Sequence, residues 1–275
     1  MINDTRIKFS IIIPVYNNEQ TIERAIQSCL EQTFTSFELI IIDDGSIDNS
    51  KTKLNAYSNY ENITILQNTN NRGVSYSRNR GIKIARGEYL CFLDADDFFT
   101  HNKLAVINTC TEKNPTIHFL FHPFVNNNNL PIAEPIVWNK YRLLLGNKIA
   151  TPCVIIKNDQ PLLFNEHMHY MEDYDLWLRY SNEHNIYFIN SALTQLGRPI
   201  LSKGGVSNSK IKMRIGELSA YTHHCFHKPL LLLTIPFFIL LQVDDLLIFF
   251  YYYYIYHYLY ILSSIYYFLG TYCTK

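Results

Sequence analysis

The chain of 275 residues has no excess of either charge: 24 Lys and Arg stand against 24 Asp and Glu. Proteins that bind nucleic acid usually carry a basic excess, so a nucleic-acid partner is not expected. No two cysteines stand at CxxC spacing. The six present, Cys29, Cys91, Cys110, Cys153, Cys225 and Cys273, are scattered. That argues against a zinc site or a disulfide framework and for reduced, buried thiols of a cytosolic compartment. No GxGxxG follows the first expected strand, which excludes a dinucleotide-binding dehydrogenase. The segment Met1–Lys8 is polar and charged and has no apolar stretch, so no secretory leader is expected. There is no internal repeat.

What is present begins with strands and helices in alternation over residues 9–115. Phe9–Ile13 is a β-branched run that Pro14 is expected to stop. A helix over 19–31 sets Ile22, Ala25, Ile26, Cys29 and Leu30 on one apolar face, with Asn17 or Asn18 as its cap. Phe37–Ile42, Ile63–Leu66 and Glu88–Leu93 read as strands, and 73–86 as a helix. Uniformly apolar strands joined by helices predict a parallel sheet with crossovers. Beyond residue 116 the pattern is less regular. Ile117–Phe121 and Cys153–Ile156 are expected strands, Glu172–His184 a helix, and Ser202–Ser209 a loop.

Two acidic clusters stand where chemistry is expected. Asp94-Ala95-Asp96-Asp97 follows the buried run Tyr89–Leu93, and Asp43-Asp44-Gly45-Ser46 follows Phe37–Ile42. Ligands of open α/β sheets gather beyond the carboxyl ends of the strands. Three carboxylates there repel one another unless a cation joins them, which suggests a divalent metal holding a phosphate-bearing substrate. The plainer readings are a turn at Asp43–Ser46, and Asp97 as a cap for the next helix.

The ordered blocks Ser10–Asn17 (SIIIPVYN), Gln32-Thr33-Phe34, Phe37–Ser46 (FELIIIDDGS), Asn71–Ser75 (NRGVS), Arg78-Asn79 and Gly87–Asp97 (GEYLCFLDADD), with Glu172-Asp173 further on, resemble the family 2 glycosyltransferases with the GT-A fold, of the bacterial cell-surface glycan type. The resemblance covers roughly residues 8–185. It implies a Rossmann-like, mostly parallel central sheet flanked by helices, a nucleotide-sugar donor, a Mn²⁺ or Mg²⁺ ion, and inversion at the anomeric carbon. Position by position, it places Pro14, Val15 and Tyr16 along the donor base and Asp44 as the carboxylate that accepts a hydrogen bond from the uracil ring. It puts Arg78 near the diphosphate, and Asp94 and Asp96 at the ribose and the metal with Asp97 sharing that work. The Glu172-Asp173 pair matches the catalytic base. The expected reaction moves a sugar, from a UDP-hexose or UDP-N-acetylhexosamine, to a hydroxyl of a lipid-linked or cell-surface glycan, as in lipopolysaccharide biosynthesis. Two other functions are weighed. A sugar-nucleotide pyrophosphorylase usually has a Gly-rich loop where Pro14–Asn18 stands, and a non-catalytic sugar-binding scaffold would not need Asp173.

The helix after residue 171 carries its own argument. Asp173, Leu176, Trp177 and Tyr180 share one face, while Glu172, Asp175 and Arg179 share another. Asp173 alone among the acids therefore projects with the apolar set. A helix N-terminus favours its anion and burial disfavours it, a balance that suits a general base. Capping is the competing role for Asp173, and Glu172 the competing base. Arg72 and Arg80 are expected in solvent, His167 and His169 on a surface loop, and His118 and His122 in structural places.

Composition changes near residue 210. Lys210, Lys212, Arg214, His223, His224, His227 and Lys228 precede an apolar tail, and Leu246–Leu269 has no Asp, Glu, Lys or Arg. Its 24 residues, about 36 Å as a helix, are long enough to cross a bilayer. Yet Tyr251–Tyr254 prefer an interface and Asp244-Asp245 resist burial in lipid, which favours a tail lying in the interface. An oligomer contact is the other use for such a surface. The expected organisation is thus a catalytic domain over 1–215, with a nucleotide-sugar half 1–115 and an acceptor half 116–215, and a membrane-associating helical tail over 216–275. The expected place is the cytoplasmic face of a bacterial inner membrane, peripheral or monotopic.

Overall fold

The computed structural model describes residues 6–125, 134–197 and 209–226. The first half runs β1 (Phe9–Val15), α1 (Ile22–Leu30), β2 (Phe37–Asp43), α2 (Ser50–Asn55), β3 (Ile63–Gln67), α3 (Val74–Ile84), β4 (Tyr89–Phe92), β5 (Phe98–Phe99) and α4 (Lys103–Lys113). The second runs β6 (Phe119–Phe121), β7 (Ile136–Trp138), β8 (Val154–Lys157), α5 (Glu172–Glu183), β9 (Ile186–Phe188), β10 (Thr194–Gln195) and α6 (Lys210–Phe226). Eight strands form one sheet in the order β3-β2-β1-β4-β8-β6-β9-β7, and β5 pairs with β10 apart from it.

The sheet is parallel from β3 to β4 and reverses at β8, which is antiparallel to both β4 and β6. Strands β1 and β2 are buried almost throughout because helices cover both faces. Ile11, Ile13, Leu39 and Ile41 join the core beside Ile22, Ile26 and Cys29 of α1 and Leu104 and Ile107 of α4. Ile12 and Ile42 meet α3 on the opposite face, closely enough that a Cβ at Gly81 would lie 2.6 Å from the Ile12 side chain. Trp177 of α5 packs edge-on against Phe119 at 5.2 Å and Phe164 at 6.2 Å, and Phe164 against Phe92 at 5.4 Å. Those aromatic contacts bring α5 onto the sheet beside the ends of β1, β2 and β4.

Pro14 does not stop β1; it pairs opposite Ile42. The Ile12 carbonyl turns toward β4 and accepts from Leu93 N–H, whereas the Val15 carbonyl turns toward β2 and accepts from Asp44 N–H. The N–H that Pro14 lacks would have faced the β4 side, where pairing already ends at Phe92. The asparagine cap of α1 is also absent. Asn18 Oδ1 accepts from Tyr16 N–H and Asn17 Oδ1 from Ile47 N–H, so both side chains shape loops instead.

A tight approach at the start of β4 yields a prediction. A Cβ on Gly87 would stand 2.5 Å from Ser10 N and 2.6 Å from Phe9 C, both backbone atoms that a rotamer change cannot move. Gly87→Ala should cost about 2–3 kcal/mol, measured as a lower urea midpoint with an unchanged slope.

The chain divides into units 1–220 and 221–275. Both that division and the expected boundary at 215/216 fall within α6. The apolar run Leu246–Leu269 lies outside the described residues, as do 126–133 and the stretch 202–208 of the expected loop. Among the described residues no helix is long and apolar enough to cross a membrane. Cys29, Cys91, Cys110 and Cys153 are free and buried.

Candidate functional site

The carboxyl ends of β1, β2 and β4 lie side by side because these strands are parallel neighbours. Their edge gathers Val15, Tyr16, Asp44 and the Asp94–Asp97 turn. Since β8 runs against β4, the residues that enter β8 arrive at this same edge. That is how Asn147 and Thr151, distant in sequence, come to the site.

Asp44 is buried and holds the loop between β3 and α3. Its Oδ1 accepts from Asn68 Nδ2 at 2.5 Å and Arg72 N–H at 2.9 Å, and its Oδ2 from Gly73 N–H at 2.8 Å. Gly73 has φ +93°, a conformation that glycine adopts freely and that points this N–H at the carboxylate. Pro14 and Val15 are covered while Tyr16 is 43% exposed, leaving its ring available beside the site. Arg72 is in solvent as expected, with its guanidinium 4.4 Å over the Tyr76 ring. Arg80 is not free: it donates to the Gln67 carbonyl at 3.0 Å and to Asn68 Oδ1.

Arg78 is the centre of the arrangement. Its Nη2 meets Asp94 Oδ1 at 2.7 Å and its Nη1 meets Glu172 Oε1 at 3.1 Å. The Arg78 side chain is 4% exposed, against 34% for Asp94 and 13% for Glu172. Burial works against its charge, but Asp94 and Glu172 outweigh that, so the guanidinium is held firmly as a cation. The Phe164 ring lies 5.1 Å below it, and Nε is buried with no hydrogen-bond partner. The next residue, Asn79, exchanges hydrogen bonds with the Phe164 backbone and donates to Glu166 Oε1 at 2.8 Å. Arg78 and Asn79 together therefore fasten α3 to the segment leading into α5.

Asp173 follows Glu172 in the first turn of α5, after Met171 in the left-handed conformation at φ 59°. Its Oδ2 accepts from Asn147 Nδ2 at 3.1 Å and Thr151 Oγ1 at 3.2 Å, and its Oδ1 from Tyr174 N–H at 2.7 Å. Enclosure raises its pKa to about 6, helped by the Glu172 charge and opposed by Arg78, the Tyr174 N–H and Asn147. The group is half-buried, so it is shielded from bulk water yet reachable. Asp94, Arg78, Glu172 and Asp173 thus form a row of alternating and then like charges from one half of the sheet to the other.

The expected trio of metal carboxylates is not assembled. Asp97 is buried and its Oδ1 accepts from Gly197 N–H at 2.8 Å. Nor does it cap a helix, since α4 begins at Lys103. Among the described residues no group of three His, Cys, Asp or Glu side chains could hold a metal. Asp94 and the half-buried Asp96 remain as two oxygen donors. That suits Mg²⁺ or Mn²⁺ only as a partial shell, of the kind that substrate phosphates complete.

Several residues carry weight that no pattern announces. Asn147, Thr151 and Asn68 are ordinary polar residues until the fold brings them to carboxylates. Asp175, expected on the outer face, is buried and paired with Arg179 at 2.9 Å, which also donates to the Leu163 carbonyl. His167 and His169 are exposed, as expected. His122 is buried against the Pro123 carbonyl, and His118 stacks on His184 at 4.3 Å.

Comparison with known proteins adds an independent line. The sequence profile of Glycosyl transferase family 2 matches residues 10–155. A relative in Escherichia coli, the UDP-Glc:alpha-D-GlcNAc-diphosphoundecaprenol beta-1,3-glucosyltransferase WfgD, is 35% identical over 74% of this chain and 81% of its own length. The crystal structure of S. aureus TarS 1-349 in complex with UDP matches 68% of this chain with a TM-score of 0.59 and 25% identity. This chain spans 60% of that structure. The UDP-GlcNAc complex of the same TarS segment is 23% identical, with a TM-score of 0.63 over 78% of this chain and 66% of its own, a likeness of fold.

Proposed function

Since this chain belongs to glycosyl transferase family 2, we propose that it moves a sugar from a nucleotide-sugar to an acceptor hydroxyl in a single displacement that inverts the anomeric carbon. The carrying observation is the row Asp94–Arg78–Glu172–Asp173. It puts a buried cation at the strand edge beside the acidic turn and a shielded carboxylate of raised pKa at the start of α5. Asp173 takes the proton from the acceptor hydroxyl, whose oxygen bonds to the anomeric carbon. The bond from that carbon to the diphosphate breaks, and the nucleoside diphosphate leaves with the electron pair. Arg78 supplies positive charge beside Asp94, near where the departing diphosphate would carry its negative charge.

Asp94 and Asp96 are the residues that would hold Mn²⁺ or Mg²⁺, which supplies positive charge to the departing diphosphate when bound. Tyr16, Val15 and Pro14 would lie along the base. Asp44 keeps its loop closed against it while retaining acceptor capacity on Oδ2. A UDP-hexose or UDP-N-acetylhexosamine is the proposed donor, supported by the names of the E. coli relative and the S. aureus structures. A lipid-linked or cell-surface glycan is the proposed acceptor, supported by the E. coli relative's diphosphoundecaprenol substrate. The proposed place is the cytoplasmic face of the inner membrane, with the uncharged run Leu246–Leu269 as the supporting sequence. Family membership displaces the pyrophosphorylase reading, and the pKa of Asp173 speaks against a scaffold. A hydrolysis screen of UDP- and GDP-sugars with and without Mn²⁺ tests the donor; hydrolysis of none would overturn it.

The pH profile follows from Asp173. A base must be ionised, and this one is raised to about 6, so kcat/KM should climb as the pH rises through about 6 and level off above it. Glu172→Gln removes the neighbouring like charge and should move that midpoint down. Loss of the limb in that variant would show that Glu172, not Asp173, sets it.

A further inference from the structure

Helix α6 presents the wrong face to water. At 100° per residue, Ile211, Ile215 and Leu218 fall on one stripe. They are 75%, 62% and 36% exposed, respectively. Lys212 and Arg214 flank the stripe on its two sides and are themselves exposed. The opposite face, with Gly216, Glu217 and Ala220, is the buried one. An amphipathic helix with its apolar stripe outward is not explained by the core of its own domain.

We propose that this outer face of α6 is a docking surface for an anionic lipid bilayer. Two observations select that occupant. The first is charge: between residues 209 and 226 the only acid is Glu217, which is buried against Arg214 at 2.7 Å. The outer face therefore offers the exposed Lys212 ammonium, with Arg214 bridged to Glu217 at the other flank, beside aliphatic side chains, the pairing that headgroup phosphates and acyl chains satisfy together. Its own tail, residues 227–275, could cover the isoleucines but carries only Asp244 and Asp245 as acids. The second is continuity, because the uncharged run Leu246–Leu269 follows in the same chain.

The seat of α6 gives the surface a consequence. A Cβ on Gly216 would lie 2.6 Å from the Tyr170 carbonyl oxygen, so the helix backbone rests on the Tyr170 backbone. The Lys212 ammonium also stands 5.7 Å over the Tyr170 ring. Tyr170 is three residues before Asp173. A bilayer held by α6 therefore lies one helix diameter, about 10 Å, from the segment that positions the base, a short way for a lipid-linked hydroxyl to travel. That consequence rests on the transferase reading above; the docking itself does not, and it is tested without turnover.

The test uses the full chain with Ile215→Trp, the signal of the two native tryptophans being subtracted with the parent protein. Vesicles of phosphatidylglycerol and brominated phosphatidylcholine are added. The expected result is water-like emission in buffer, a blue shift with at least twofold quenching on the vesicles, and loss of most of that change in about 0.5 M salt, as surface charge is screened. Vesicle binding by the chain while the signal of the introduced tryptophan stays water-like would overturn the proposal. So would emission already blue-shifted in buffer, which would mean that residues 227–275 or a second copy cover the face. The triple variant Ile211→Ser, Ile215→Ser, Leu218→Ser should keep nucleotide-sugar hydrolysis and lose at least tenfold in transfer to a lipid-linked acceptor. Equal transfer to lipid-linked and short soluble acceptors would remove the consequence drawn for Asp173.

Discussion

Asp173→Asn lowers sugar transfer by roughly a hundredfold to ten-thousandfold and leaves nucleotide affinity unchanged, the span expected when a positioned general base is lost. The carboxamide oxygen has the shape to keep the Asn147 and Thr151 contacts, while its nitrogen replaces the oxygen that accepts from Tyr174 N–H, so one backbone hydrogen bond is lost along with the base. It should not unfold the protein. The carboxyl of Asp173 is raised from 3.8 to about 6 in the fold, so the folded state holds its proton more tightly than the unfolded chain does. Stability from this group is therefore full at low pH and declines as the pH climbs from about 4 past 6. At pH 8 the wild type bears that loss and the Asn variant does not, which offsets the lost Tyr174 contact, so its thermal midpoint should stay close to that of the wild type. Titration of a UDP-sugar by calorimetry, with single-turnover transfer alongside, decides the matter. Transfer within threefold of wild type would remove Asp173 from the mechanism.

Arg78→Met acts on stability as well as on transfer. The guanidinium is the one cation between Asp94 and Glu172, and removing one partner of a buried ion pair strands the others. Such losses run to about 3–5 kcal/mol; the low end applies, because Asp94 is a third exposed and water takes up part of its charge. Adding Glu172→Gln should restore part of the stability and none of the transfer. Urea midpoints for the single and double variants provide the check. A loss that Glu172→Gln does not relieve would mean that Arg78 acts through its packing on Phe164.

The parts of this molecule that can be read from sequence are those whose signal is local. Ile11–Ile13 and Leu39–Ile42 are apolar without interruption, as strands covered on both faces must be. Ile22, Ala25, Ile26 and Cys29 announce α1 by spacing. The two acidic turns are visible because strand ends in a parallel sheet share an edge. Helix α4 is less visible because its buried face opens with Lys103, whose ammonium is satisfied by the Pro152 carbonyl at 2.7 Å and Thr194 Oγ1 at 3.0 Å. Strand direction is not written in any residue of Val154–Lys157, so the reversal at β8, and with it the arrival of Thr151 beside Asp173, needs the fold. Asp175 escapes a sequence reading for a similar reason. Charge suggests solvent, but Arg179 one turn later lets the pair be buried. Asp97 looks like Asp94 and Asp96 on paper, and its contact with Gly197 N–H sets it apart.

The antiparallel insertion of β8 also bears on how such proteins can be cut and recombined. A break near residue 115 suggests itself, between a half that meets the nucleotide and a half that meets the acceptor. Yet β8 is the partner that covers the outer edge of β4, and Glu172 is the second carboxylate on Arg78. A fragment ending at 115 would bare a hydrophobic strand edge, a template for aggregation. It would also leave its buried cation half-neutralised. Exchange of acceptor halves between relatives must therefore carry strand β8 and the start of α5 across together, as one inheritable block.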